Sequence, residues 1–172
     1  MKISLMCAIT LDGKIARNEH HFVDWSSRED KRLFFATTKR AGVLIIGNNT
    51  YRTFSAPLPG RLHIVLTSDT SDKINIPGQV EYTSASPEEI AADLKARGFE
   101  EAILAGGGQV NTLFLKANLI DELLLTLEPV VFGSGIDLFR SGELDARWRL
   151  VHMEKLNDIG SLHLRYTLAP NS

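Results

Sequence analysis

The chain has 172 residues, 44% of them hydrophobic and 23% charged, with a formal net charge of −2. It is long enough to bury the core of one domain, its charge excludes the basic footprint of a nucleic-acid binder, and no apolar run nears the ~20 residues of a membrane span. A single cysteine, Cys7, rules out an internal disulfide and points to a reducing, cytoplasmic setting.

In chain order, Ile3–Ile9 is the first strand-like run, too short to be the core of a signal peptide. A helix is predicted from Ser26, whose hydroxyl can cap while Glu29 reaches back, and it ends before Gly42. Its apolar stripe holds Leu33, Phe34 and Ala41, with Thr37 between them; counting back three and four from the first two reaches Asp30. A carboxylate on a core-facing stripe is disfavoured unless it is paired, hydrogen-bonded or functional. In a first helical turn it is also welcomed by the helix dipole and can point to solvent. The pattern alone leaves both readings open.

The next strand, Val43–Ile46, runs into Gly47, Asn48, Asn49 and Thr50, residue types that cap helices and contact anions. Leu62–Thr67 reads as a strand, and Ser86-Pro87-Glu88-Glu89 opens a helix that closes at Gly98. Ala102–Ala105 is a strand that breaks into Gly106, Gly107 and Gly108 before a helix over Gln109–Leu115. Open α/β sheets bind ligands at such strand ends, and a helix start offers free N–H groups to a phosphate. A tight turn accounts for three glycines equally well, and the Gly47 junction is just as open to a bland reading.

Leu123–Leu127 completes a set of short apolar runs of the kind covered on both faces. Strand–helix alternation predicts a largely parallel α/β sheet. Trp148–Leu156 and Ser161–Leu168 alternate around Asn157-Asp158-Ile159-Gly160 and predict an antiparallel hairpin in which Trp148 packs. The histidines at 20, 21, 63, 152 and 163 show no ligand spacing, so no metal is expected, and His20 and His21 are expected in solvent. Cys7 reads as a small buried hydrophobe. Gly133-Ser134-Gly135 is either a cofactor-side loop or a plain turn.

Several stretches together carry a resemblance. "ISLMCAITLDGKIAR", the set Trp25, Asp30 and Phe34, "IGNNTYRTFSAPLPGRLHIVLTS" and "AGGGQVNTLFL" resemble the dihydrofolate reductase superfamily over residues 2 to 168. That superfamily includes the reductase domain of the bifunctional deaminase-reductase of riboflavin biosynthesis, which "KANLIDELLLTLEPVVFGSGIDLF" resembles more closely. The resemblance implies one domain over residues 1–172, a three-layer α/β/α fold with a mostly parallel sheet and a C-terminal antiparallel hairpin. It also implies an oxidoreductase that moves hydride from NADPH to a small heterocycle.

The site residues follow by the same resemblance. Asp30 matches the carboxylate that holds the substrate ring and favours its protonated imine, and Thr126 the threonine that orients it. Met6, Trp25 and Phe34 match the substrate wall, and Arg61 the arginine that grips the glutamyl carboxylate of folate; on its own, Arg61 reads as a solvated turn residue. Ala8, Gly13 and Ile15 match the surroundings of the nicotinamide. Gly47, Asn49 and Thr50 match one phosphate junction, and Gly106, Gly107, Gly108, Gln109 and Val110 the other. Thr67 and Ser68 match the neighbourhood of the adenosine 2′-phosphate. Asn48 stands where dihydrofolate reductases usually carry an arginine, which loosens the preference for NADP over NAD.

Dihydrofolate is the first choice of substrate. The phosphoribosylated diaminopyrimidine of riboflavin synthesis is the second, although "TFSAPLPGR" lacks the acids usual in that branch. A nucleotide-binding protein without catalysis is the third. No nucleic acid or membrane is expected as partner, and monomer and homodimer both stay open.

Overall fold

Val43, Leu44, Ile45 and Ile46 are all fully buried, which a strand achieves only when both of its faces are covered. The computed structural model describes residues 1–140 and 142–169, and in it the odd and even residues of this strand enter different cores. Val43 and Ile45 join Ile3, Leu5, Ile90, Leu94, Val110 and Phe114 on one side, whereas Leu44 joins Met6 and Ile103 on the other.

The elements are β1 (Lys2–Thr10), β2 (Lys14–Ala16), α1 (Arg28–Ala41), β3 (Val43–Gly47), α2 (Asn48–Tyr51), β4 (Leu62–Leu66) and β5 (Val80–Thr83). They continue with α3 (Pro87–Ala96), β6 (Glu101–Leu104), α4 (Gly108–Lys116), β7 (Glu122–Glu128), β8 (Ile136–Asp137), β9 (Trp148–Lys155) and β10 (Leu162–Leu168). Eight strands form one sheet in the order β5-β4-β3-β6-β1-β7-β10-β9. From β5 to β7 every pairing is parallel, while β10 runs antiparallel to both β7 and β9. Helices α3 and α4 pack on one face and α1 on the other, where Leu33, Phe34 and Ala41 meet Met6, Leu44 and Ile103. This is the expected three-layer fold with its closing hairpin.

The structure corrects and adds at several points. The cap of α1 is Ser27, whose hydroxyl accepts the Asp30 N–H at 3.2 Å; Ser26, one residue earlier, is buried. Strands β2 and β8 pair with each other as a separate antiparallel ribbon outside the main sheet. Asp12 fastens the turn before β2, since its carboxylate accepts the N–H groups of Phe132 and Gly133 at 3.2 and 2.8 Å. No helix among the described residues is long and apolar enough to cross a membrane.

Candidate active site

A cavity of about 1110 Å³ opens where β1, β3, β4 and β6 end. Pockets for a single small molecule span roughly 300–1,000 Å³, so this one has room for a dinucleotide and a second ring. The sheet brings most of the matched residues to its wall. Met6, Asp30 and Phe34 lie together on the α1 side, with Ala8 and Ile15 beside them. Gly47, Asn49 and Thr50 form one rim, Thr67 and Ser68 another, and Gly107, Gly108, Gln109 and Val110 a third.

Five matched residues are not on the wall. Thr126 is buried on β7 in register with Ala8 of β1, with its hydroxyl beside the Asp30 carboxyl. Gly106 sits behind its two neighbours, where its carbonyl accepts the Gly47 N–H at 2.7 Å and so fastens the two junctions together. Gly13, at φ +76°, occupies the turn between β1 and β2. Trp25 lies edge-on against Phe132, ring centroids 5.0 Å apart, with its indole N–H buried and unpaired.

Arg61 is the largest departure, from both readings given above. It is neither a solvated turn residue nor a wall residue, being only 6% exposed. Its guanidinium donates to the carbonyls of Pro59 and Phe35 and to the Thr38 hydroxyl, and so ties the turn before β4 to α1. Burial lowers its proton affinity. Arg61→Met is expected to strip these acceptors, at about 3 kcal/mol of stability, and to leave the KM for any substrate within about twofold. Denaturant melts and steady-state kinetics check this; a large rise in KM with stability intact would return Arg61 to substrate binding.

Asp30 is 6% exposed, and burial pushes its carboxyl above the ordinary aspartate range. The hydroxyls of Thr126 and Ser26 and the Lys31 cation pull it back, whereas the Glu128 carboxylate pushes it further up. Even so, the Ser26 hydroxyl makes no hydrogen bond of ordinary geometry. Across the sheet, burial drives the Cys7 thiol up to about 12, so this wall residue is an apolar neighbour and not a nucleophile.

The helix starts near the cavity differ in their caps. Ser27 caps α1, and Ser86, next to the wall residue Ala85, caps α3 in a reciprocal box with Glu89. At the cavity rim, α2 and α4 begin at Gly47 and Gly107 with no side-chain cap at all, which leaves their first N–H groups to a ligand. The glycines themselves have a local explanation. A Cβ on Gly107 would stand 3.1 Å from Thr50 Oγ1, and one on Gly108 only 2.5 Å from the Asp137 carbonyl oxygen. The close neighbour that bars a side chain here is the protein itself.

Sequence reasoning missed the loop that brings Asn18, Glu19, His21 and Phe22 to the wall. His21 is not in solvent; its ring stands edge-on to Phe132 and its Nδ1 accepts the Arg17 N–H at 3.1 Å. Arg140 and Gly135 also reach the wall, so the Gly133–Gly135 segment meets the cavity at its last residue. No local periodicity marks these residues, because the ribbon of β2 and β8 carries them there.

Comparison with known proteins agrees with this fold. The profile of the RibD C-terminal domain matches residues 1–159. Dihydrofolate reductase type 3 of Salmonella typhimurium is 31% identical over 126 residues, 73% of this chain and 71% of that protein. Among solved structures, a diaminohydroxyphosphoribosylaminopyrimidine deaminase/5-amino-6-(5-phosphoribosylamino)uracil reductase from Thermotoga maritima superimposes with a TM-score of 0.79 at 18% identity, over 98% of this chain and 56% of that one. Dihydrofolate reductase from Enterococcus faecalis, solved with NADP(H), gives a TM-score of 0.73 at 22% identity, over 98% and 97% of the two chains.

Proposed function

The chain belongs to the RibD C-terminal domain family, a family of reductases, and from that premise we propose that it reduces a dihydropterin, dihydrofolate first, with NADPH as the hydride donor. One observation carries the reading: a buried carboxyl, Asp30, stands on the wall of the large cavity with its proton affinity raised. Reduction of a cyclic imine needs a proton at nitrogen as hydride reaches the adjacent carbon. Asp30 can pair with a 2-amino group and ring N–H and favour the protonated imine. Thr126 orients the carboxyl, and Met6 and Phe34 supply apolar walls that keep water off the ring.

The cavity suits NADPH on the chain's own features. The uncapped starts of α2 and α4 offer N–H donors to a diphosphate, Val110 and Gln109 flank the second start, and Ala8 and Ile15 border the nicotinamide end. When bound, the cofactor would supply the hydride. At the end of β4 the wall presents the hydroxyls of Thr67 and Ser68 and no cation, and the Thr67 hydroxyl is already engaged with Asp69. A 2′-phosphate would therefore gain about one hydrogen bond. NADPH is expected to be favoured over NADH by about tenfold in kcat/KM, and initial rates with both cofactors check it; a preference of several hundredfold would require a cation that this rim lacks.

A second substrate, the phosphoribosylated diaminopyrimidine, is favoured by Arg61, whose guanidinium is taken up by carbonyls and not held out toward a glutamyl carboxylate. Loss of NADPH absorbance with each heterocycle decides between them. Turnover of dihydrofolate supports the first reading, turnover of the ribosylated pyrimidine replaces it with the second, and tight NADPH binding without turnover of either leaves a nucleotide-binding protein.

A further inference from the structure

Glu128, at the end of β7, is a carboxylate buried to 3% exposure with no lysine or arginine paired to it among the described residues. Its two oxygens are both acceptors. Oε1 takes the Ser27 N–H at 2.8 Å, and Oε2 takes the Ser161 hydroxyl. Ser27 is the cap of α1, and its own hydroxyl takes the Asp30 N–H. Ser161 follows the hairpin turn, where Asn157 donates to it at 3.0 Å and to Glu29 of α1 at 3.3 Å. One carboxylate thus fastens the first turn of α1 to the β9–β10 turn. Residues two apart on a strand share a face, so Glu128 lies on the same side of β7 as Thr126, the side that faces Asp30.

We propose that Glu128 is a positioning residue for Asp30: through Ser27 it fixes where the acid stands, and it keeps a second negative charge beside it. This rests on the reading of Asp30 as the acid of a reductase and adds what sets its proton affinity. Two neighbouring carboxylates cannot both ionise freely, so one of them holds its proton to higher pH. Glu128 has both oxygens taken up by donors, whereas Asp30 faces the cavity, where burial and the neighbouring carboxylate raise its proton affinity. The other titratable groups near Asp30 are Lys31 from its own helix and His163 from β10, with Cys7 of β1 on the opposite face of the sheet. Lys31 opposes the effect, as would a protonated His163, whose own proton affinity burial lowers; the Lys31 ammonium is drawn toward the Asp24 carbonyl at 3.4 Å.

The test is Glu128→Gln, which keeps an acceptor for the Ser27 N–H, turns a donor toward the Ser161 hydroxyl in place of an acceptor, and removes the charge. Carboxyl carbon resonances are titrated by NMR in the wild-type protein and in the variant, with Asp30→Asn identifying the Asp30 signal. The Asp30 midpoint is expected to fall by about one pH unit. The limb of kcat/KM that declines as pH rises moves with it, and NADPH affinity stays constant. An unchanged midpoint in a folded variant overturns the proposal. Should the variant not fold, the wild-type curve decides: the Asp30 resonance carries a second inflection from a neighbouring carboxylate, and a single-site curve overturns the proposal. If the wild type turns over neither heterocycle, the reductase reading fails while the carboxyl titration still answers for Glu128.

Discussion

Asp30→Asn is expected to lower turnover by about 10²–10⁴-fold, the scale of removing a positioned acid–base group, and to raise the melting temperature at neutral pH. The two effects have one origin. A buried carboxyl whose proton affinity is raised in the folded state favours folding while protonated and opposes it once charged. As pH climbs from the ordinary 3.8 through the raised folded value, the wild type therefore loses stability. The amide does not titrate and loses none. Melting temperatures of the two proteins should coincide at acid pH, diverge across that window and stay apart above it. NADPH affinity is expected to hold, because the cofactor rims lie across the cavity from α1. Equal activity in the variant, or a melting temperature that falls with it, would remove Asp30 from the chemistry. A cost in stability accepted at one wall residue is the signature of a site built for function.

Gly108→Ala is expected to weaken NADPH binding by more than tenfold and to cost about 1–3 kcal/mol of stability, the usual penalty of overpacking. The added methyl would lie 2.5 Å from the Asp137 carbonyl oxygen, and that oxygen cannot easily retreat. Its strand, β8, is paired to β2. The residues just after it are fixed to α4, where Asn111 donates to the Leu138 carbonyl at 2.9 Å and the Arg140 N–H donates to the Thr112 hydroxyl at 2.7 Å. Either the ribbon tears from α4 or the start of α4 shifts away from the ligand. Titration calorimetry on both proteins reads the affinity, and a thermal melt reads the cost. Unchanged affinity in the variant would show that the start of α4 is not where the diphosphate rests.

How much of this was legible in the residues differs from element to element. The runs at Ile3, Val43, Leu62, Ala102 and Leu123 were readable because a strand covered on both faces is apolar at every position, as the complete burial of Val43–Ile46 bears out. Asp30 was visible as an anomaly, since α1 presents a single apolar stripe and the acid interrupts it. The ribbon of β2 and β8 was not readable. Runs of three and two residues, paired around a register shift, leave no periodic trace. The helix cap slipped from Ser27 to Ser26 because adjacent serines are equivalent until one is buried. Arg61 was misplaced for a related reason: a cation beside Pro59-Gly60 reads as a turn residue, and only tertiary packing supplies the carbonyls that draw it in. The glycine triplet was readable as a junction but not as a contact with β8, because its neighbour lies far along the chain.

The order in which the strands leave the ribosome has a consequence of its own. The wall of the cavity ends at Arg140, so the ligand-binding half of the molecule can assemble on a nascent chain that still lacks its last strand. Until Leu162–Leu168 emerges, the outer border of β7 offers an unpaired backbone alongside Leu123, Leu125 and Leu127. Two unfinished chains can join along such a border. Among the described residues the C-terminal hairpin adds none to the cavity wall; besides fastening the first turn of α1 through Ser161 and Asn157, it seals that seam during synthesis.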